Sequence, residues 1–238
     1  MEAVDTVGFI VALPQECRSL TRRRLKRLET LQLDARRLVR ISGTGRNNAE
    51  AAAEQLVQRG ARRLVSWGCA GALTAELMPG DLIIAEQTVA GGGNNARFCE
   101  SWRAALGARC APELRVHGGA IAESTTVINS TDMKKRLHAE TGAIAVDMES
   151  YGVSRVASRY GLACVAIRAI ADDQATMLPP TVLNAVDEHG ELHLLSLLRG
   201  LLQRPSDLSA LLKLNRCFNA AMNTLTQVAR QTGPALGG

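Results

Sequence analysis

The nine-residue run Leu162–Ile170 constrains the fold more than any other stretch of the chain. It is apolar at eight positions and too short for an ordinary buried helix. It therefore reads as a strand covered on both faces, and such strands belong to sheets with helices above and below. Shorter runs repeat the signal at Val7–Leu13, Leu38–Ser42, Leu64–Trp67, Leu82–Val89, Val116–Ala122 and Ile144–Val146. Helical stretches fall between them. One follows Gly43-Thr44-Gly45, is capped by Asn47 or Asn48 and runs to about Arg59. Its small-residue face of Ala49, Ala52 and Ala53 suits close packing on a sheet. Ser130 or Thr131 caps a second over Asp132–Glu140, and Met148–Tyr160 forms a third. Gly91–Asn95 reads as a flexible loop. Beyond Pro179-Pro180 come two leucine-rich helices, Leu183–Leu202 and Ser206–Arg230, separated by Arg204-Pro205. This alternation predicts a single α/β domain over residues 1–238, a central mixed sheet flanked by helices, with a C-terminal helical extension at about 183–230. Its ligand site is expected where loops leave the strand ends.

A chain of 238 residues with 46% hydrophobic side chains buries a core without disulfides or metals. Its six cysteines have no C-x-x-C spacing, which argues against a zinc site or redox pair and fits a reducing compartment. No apolar run approaches the ~20 residues that span a bilayer. Glu2 and Asp5 precede a short apolar run that ends at Pro14-Gln15-Glu16, unlike a signal peptide, so a cytoplasmic location is expected.

The net charge of +5 is unevenly placed. Residues 17–40 carry nine basic side chains (Arg18, Arg22, Arg23, Arg24, Lys26, Arg27, Arg36, Arg37 and Arg40) against Glu29 and Asp34. That segment is +7 and the remainder −2. Such a stripe suits phosphates, nucleic acid or an anionic surface, or is simply a solvated face. Seven aromatic residues are few for stacking bases, so nucleic acid is not expected as a partner; peripheral contact with the inner membrane is.

Several motifs fail. Gly43-Thr44-Gly45 lacks the third glycine of a dinucleotide fingerprint, and neither a phosphate-loop lysine motif nor a G-x-S-x-G elbow is present. His189 and His193 are four apart but lack a third ligand nearby, so no metal is expected. The informative segments are Ala145-Val146-Asp147-Met148-Glu149-Ser150 and Arg168-Ala169-Ile170-Ala171-Asp172-Asp173. Each puts carboxylates at the end of an apolar strand, where burial and neighbours tune an acid or base. The alternative is that Asp147 and Asp173 cap helices or face solvent.

Three blocks in register resemble the nucleoside phosphorylase superfamily, especially its methylthioadenosine/S-adenosylhomocysteine nucleosidase branch. They are Val7–Glu16; Ser42–Gly45 with Trp67-Gly68-Cys69-Ala70-Gly71 and Pro79-Gly80-Asp81; and Val146–Glu149 with Arg168–Asp172. The Gly43–Asn48 run and the late leucine-rich helices look most like the hopanoid-associated phosphorylases. Cleaving a purine N-glycosidic bond requires an acid at N7 and groups that favour a cationic sugar carbon. The resemblance implies Asp172 as that acid and Glu16 as the base that activates water. Glu149 is implied to bind the sugar hydroxyls and Met148 the sugar face, with Arg168 orienting the carboxylates and Gly71 allowing close backbone approach. Ser66 stands where the hexameric phosphorylases carry a phosphate-binding arginine, which favours water, although Arg18, Arg22 and Arg46 offer another route to phosphate as co-substrate. Cys69 replaces a serine, Ala171 replaces a serine or threonine, and Val127, beside Ile128, stands where the nucleosidases place an aromatic against the base. These departures imply a looser base pocket. Cys69 is read as a small buried thiol rather than a nucleophile. An adenine nucleoside is the expected ligand, adenosylhopane if the hopanoid branch holds, with no cofactor and a homodimer as the assembly.

Overall fold

In a computed structural model the chain is described at residues 6–177, 179, 181, 203, 204, 206–233 and 236. Among these, eleven strands join one mixed sheet with helices on both faces. Strand β1 (Thr6–Val11) pairs in parallel with β3 (Arg37–Ile41) on one side and with β4 (Ala61–Ala72) on the other; β2 (Thr30–Asp34) closes the outer edge antiparallel to β3. The predicted two-sided strand is β11 (Ala163–Asp172). It lies between β4, parallel, and β5 (Leu82–Ile84), antiparallel.

Alternation along β11 feeds two cores. Val165, Ile167 and Ala169 join Phe9, Trp67, helix α3 (Glu100–Cys110) and helix α6 (Asp207–Thr232). Cys164, Ala166 and Ile170 join helix α2 (Arg46–Gln58) and helix α5 (Ser150–Arg159). The small-residue face of α2 lies on the sheet as predicted: a methyl group on Gly8 would stand 3.1 Å from Ala61 Cβ and 3.2 Å from Leu56. Helix α6 packs through Ala221, Leu225 and Val228, and Thr224 Oγ1 donates to the Gly80 carbonyl at 2.6 Å. The predicted helix over 183–202, with His189 and His193, lies outside the described residues.

The structure differs from the sequence reading at several places. The run Leu82–Val89 is two strands, β5 and β6 (Gln87–Ala90), because the chain changes neighbours: Ala85 N–H bonds to Ala166 and Glu86 N–H to Gly119. The run Val116–Ala122 splits likewise into β8 (Val116–His117) and β9 (Ala120–Glu123), broken at Gly119, whose φ of +122° favours glycine. Gly91–Asn95 is not a free loop. A tight turn at Gly91–Gly93, with φ of +76° at Gly92 and Gly93, leads into β7 (Asn94–Arg97), which pairs antiparallel with β6. Strand β4 does not stop at Trp67 but runs through Gly68–Ala72, held by β11 and then by β10 (Ala145–Asp147). Neither Asn47 nor Asn48 caps α2. Gly45 precedes it instead, and Asn48 donates to the Thr44 carbonyl at 2.7 Å. Ser130 does cap α4 (Thr131–Thr141), accepting from Met133 N–H at 3.3 Å.

Candidate active site

The carboxyl ends of β1, β4, β10 and β11 meet at one place, and each brings a residue singled out from the sequence. Past β1 the chain turns into a single helical turn, α1 (Pro14–Cys17). Glu16 on it is buried; its Oε2 accepts from Leu13 N–H at 3.0 Å and its Oε1 from Cys69 N–H at 2.7 Å. The same carboxylate thus caps its own helix and binds a strand 53 residues away. Burial raises its pKa, against the opposing pull of Arg168 and the two N–H groups.

Arg168 on β11 is 1% exposed, not a surface ion pair. Its Nε lies 2.7 Å from Asp147 Oδ2 and its Nη2 lies 3.7 Å from Glu149 Oε2. Nη2 also donates to Ser66 Oγ at 2.7 Å. Asp147 has two duties: it pairs with Arg168, and its Oδ1 accepts from Glu149 N–H at 3.3 Å and Ser150 N–H at 3.2 Å, just ahead of α5, which begins at Ser150 rather than Met148. Glu149 is buried and accepts from Gly45 N–H at 2.9 Å. Burial pushes its pKa up to about 7, assisted by Asp147 and Glu16 and opposed by Arg168.

Asp172 reaches the site through a bulge. Ile170 pairs with Ala70, yet Asp172 rather than Ala171 pairs with Gly71. A bulge beside a site commonly re-aims a side chain. Here it lays the Asp172 carboxylate over Gly71, where an added methyl group would stand 3.2 Å from Oδ1. Gly68 is tighter: a methyl group there would lie 2.5 Å from Arg168 Nη1 and 2.6 Å from Glu16 Oε1. At Gly68 only glycine fits beneath the two side chains as they stand, whereas at Gly71 a methyl group would require a shift of a few tenths of an ångström.

A cavity of about 140 Å³ opens beside Asp172, lined by Gly71, Val127, Ile128, Met148 and Lys134 among others. Val127 is 46% exposed, so it edges the cavity rather than closing it. Ser124 is shared with a second hollow of about 310 Å³ formed by Thr44–Asn48 and Thr125. Glu16, Cys69, Met148, Glu149, Arg168, Gly71, Val127, Ile128 and Asp172 are thus gathered at one end of the sheet. Burial holds the Cys69 thiol well above its usual pKa, so it is no ready thiolate. Of the arginines considered for phosphate, Arg18 and Arg22 are exposed, while Arg46 lines the second hollow and makes a two-pronged pair with Glu123.

Sequence reasoning missed Lys134. It is 1% exposed and its Nζ contacts Asp172 Oδ2. Lys135 and Arg136 beside it are exposed and make the stretch look like a solvated face. The available signal was spacing: Lys134 stands three residues before Leu137, on the same side of α4.

Chemically, the site offers two buried carboxylates against one strand and a third between a guanidinium and a backbone N–H. One is shielded by an ammonium and another by a guanidinium, the means by which a protein sets two acids to different tasks. A 5'-methylthioadenosine/S-adenosylhomocysteine nucleosidase of Mycobacterium bovis is 27% identical over 220 residues, covering 70% of this chain and 85% of that protein. Futalosine hydrolase of Helicobacter pylori superposes with a TM-score of 0.72 at 18% identity, over 96% of this chain and 97% of the other. The 5'-methylthioadenosine/S-adenosylhomocysteine nucleosidase of the same organism, complexed with a substituted pyrrolidin-3-ol, gives 0.70 at 17% identity, with 96% and 97% covered. These structural likenesses carry the fold. A model of the phosphorylase superfamily matches residues 6–201, and with the fold and the gathered carboxylates this establishes that the chain belongs to that superfamily.

Proposed function

We propose that the protein hydrolyses the N-glycosidic bond of an adenine nucleoside, with water as nucleophile and no metal or organic cofactor. The observation that carries this reading is the placing of Glu16 at Gly68 and Asp172 at Gly71. The two glycines are three residues apart on β4, about 10 Å of strand. That span leaves room for a nucleoside between an acid and a base. Asp172 protonates N7, so the purine leaves as a neutral base. The sugar carbon becomes oxocarbenium-like, and Glu16 takes a proton from the water that attacks it. Glu149 accepts hydrogen bonds from the sugar hydroxyls, and Met148 packs on the sugar. Arg168, locked among Asp147, Glu149 and Ser66, keeps three acidic groups in one small volume. The nucleosidases among its relatives support the reaction class. Ser66, bonded to Arg168 and not to solvent, supports water over phosphate.

The finer reading names adenosylhopane, from the resemblance to the hopanoid-associated branch. Adenine would be released and the ribosyl-hopane part kept. The exposed Arg18, Arg22, Arg23 and Arg24 support a basic face toward an anionic membrane in that reading. The test is adenine release, with and without phosphate, from adenosines bearing small, polar or long apolar 5′ groups. An absolute need for phosphate overturns hydrolysis. Equal or better turnover of small 5′ groups overturns adenosylhopane. Co-sedimentation with anionic but not neutral liposomes at low salt, fading as salt rises, is the outcome expected of the basic face.

A further inference from the structure

Lys134 sits inside the site without a part in the chemistry above. Its ammonium has three N–H groups and three acceptors: Asp172 Oδ2, the Asp173 carbonyl at 2.6 Å and the Thr176 carbonyl at 3.3 Å. A buried ammonium is tolerated only when paired and fully hydrogen-bonded, and an apolar side chain of similar volume would fill the space without that requirement. The pairing also raises a chemical difficulty. An acid at N7 must hold a proton, whereas a carboxylate against an ammonium tends to be without one. Burial raises the Asp172 pKa while Lys134 pulls it down.

Resting on the proposed glycosidic cleavage, we propose that Lys134 and Asp172 act as one acid, the ammonium storing the proton that the carboxyl group delivers to the base. As the C1′–N9 bond breaks, its electron pair goes to the purine and N7 becomes basic. A proton passes from Nζ to the Asp172 carboxylate, and from that carboxyl group to N7. Lys134 is left as a neutral amine and Asp172 as a carboxylate. On the other side, water bonds C1′ and gives its proton to Glu16. Loss of that proton to solvent and uptake of one by Lys134 restore the site. Lys134 acts through Asp172, so it is a positioning residue that holds a proton.

Other groups face Asp172. Cys69 comes from β4 and Cys217 from α6; burial raises both thiols above their usual range. Asp173 follows just past the end of β11, with Lys213 of α6 at 3.3 Å. Glu16 and Glu149 titrate in every variant, so the informative quantity is the ratio of wild-type to variant kcat across pH 5.5–8.5.

Two substitutions separate charge from proton. Lys134→Met removes both, so Asp172 must be protonated from solvent. Its kcat is expected to lie within about tenfold of wild type at pH 5.5 and to fall away from it by up to about tenfold per pH unit above. Lys134→Arg keeps the ion pair but does not release its proton. It is expected to lose about 10²-fold at every pH, with no rescue by acid. Thermal unfolding of both variants verifies the fold. A Lys134→Met ratio constant with pH, or Lys134→Arg with wild-type kcat, overturns the relay. If Lys134→Met does not fold, the arginine variant alone decides. Absence of base release by the wild-type protein from any purine nucleoside would instead overturn the glycosidic reading.

Discussion

Gly68→Ala is the smallest change that probes the whole site. The added methyl group would lie 2.5 Å from Arg168 Nη1 and 2.6 Å from Glu16 Oε1, where ordinary contact begins near 3.4 Å. Neither neighbour is a loose end. Arg168 is tied to Asp147 at 2.7 Å and to Ser66 at 2.7 Å, and Glu16 to Leu13 and Cys69 N–H groups at 3.0 and 2.7 Å. Both must move by about 1 Å, and a misplacement of that size costs about 10²-fold in rate. Forcing a methyl group into a packed interior costs about 1–3 kcal/mol. Losing one hydrogen bond to a charged group adds about 1.5–3 kcal/mol. The combined cost of about 2.5–6 kcal/mol leaves a domain with about 10 kcal/mol of stability folded at room temperature, with Tm lowered by roughly 5–24 °C. Differential scanning calorimetry and an adenine-release assay on the same preparation read both effects. A variant with Tm within about 2 °C of wild type and turnover within about threefold would refute the claim that Gly68 is required by the two side chains above it.

Three further outcomes follow from the same geometry. Glu149, with its pKa raised from 4.5 to about 7, binds its proton more tightly folded than unfolded; its stabilising contribution is fully present below about pH 4.5 and lost as pH rises through about 7. At about 1.4 kcal/mol per pH unit this amounts to about 3 kcal/mol, so urea unfolding of Glu149→Gln should show a flatter pH dependence than wild type, and parallel curves would contradict it. Arg168→Met strands Asp147 and Glu149 in the interior, and removing one partner of a buried pair costs about 3–5 kcal/mol; an unchanged Tm would show that the carboxylates need no such partner. Gly107→Ala in α3 meets open space at an ordinary helical φ, so it should stabilise by about 0.5–1 kcal/mol without changing adenine release, and a loss of stability there would count against the packing described.

The sequence showed the frame of the fold because two-sided burial leaves a pattern. Strands β1, β3, β10 and β11 and helices α2, α4 and α5 lie within a few residues of their predicted places. It did not show where one apolar run serves two sheet positions. Leu82–Ala85 and Val89 are apolar around Glu86-Gln87-Thr88, and that pattern reads the same whether the chain continues straight or turns at Ala85 and Glu86 to take a new neighbour. Glu16, Met148, Glu149, Arg168 and Asp172 were legible through motif spacing. The bulge that seats Asp172 on Gly71 was not, because slipping a register by one residue changes no composition. Lys134 was hidden by its own chemistry, since a lysine among charged neighbours reads as solvent-facing until its helix is placed against a strand.

Strand β11 is the last strand among the described residues, yet it occupies an interior slot between β4 and β5. A chain emerging from the ribosome must therefore wait with that slot empty. The edge of β4 and its apolar residues Val65 and Trp67 stay uncovered until residues 163–172 arrive. Pairings of this sequence separation form slowly, and an open apolar edge invites association with other chains in the interval. Arg168 and Asp172 ride on that same strand. A partly made or C-terminally clipped chain that lacks it is thus both the species most prone to aggregate and one without a site, and acquisition of activity during refolding should coincide with insertion of this strand rather than precede it.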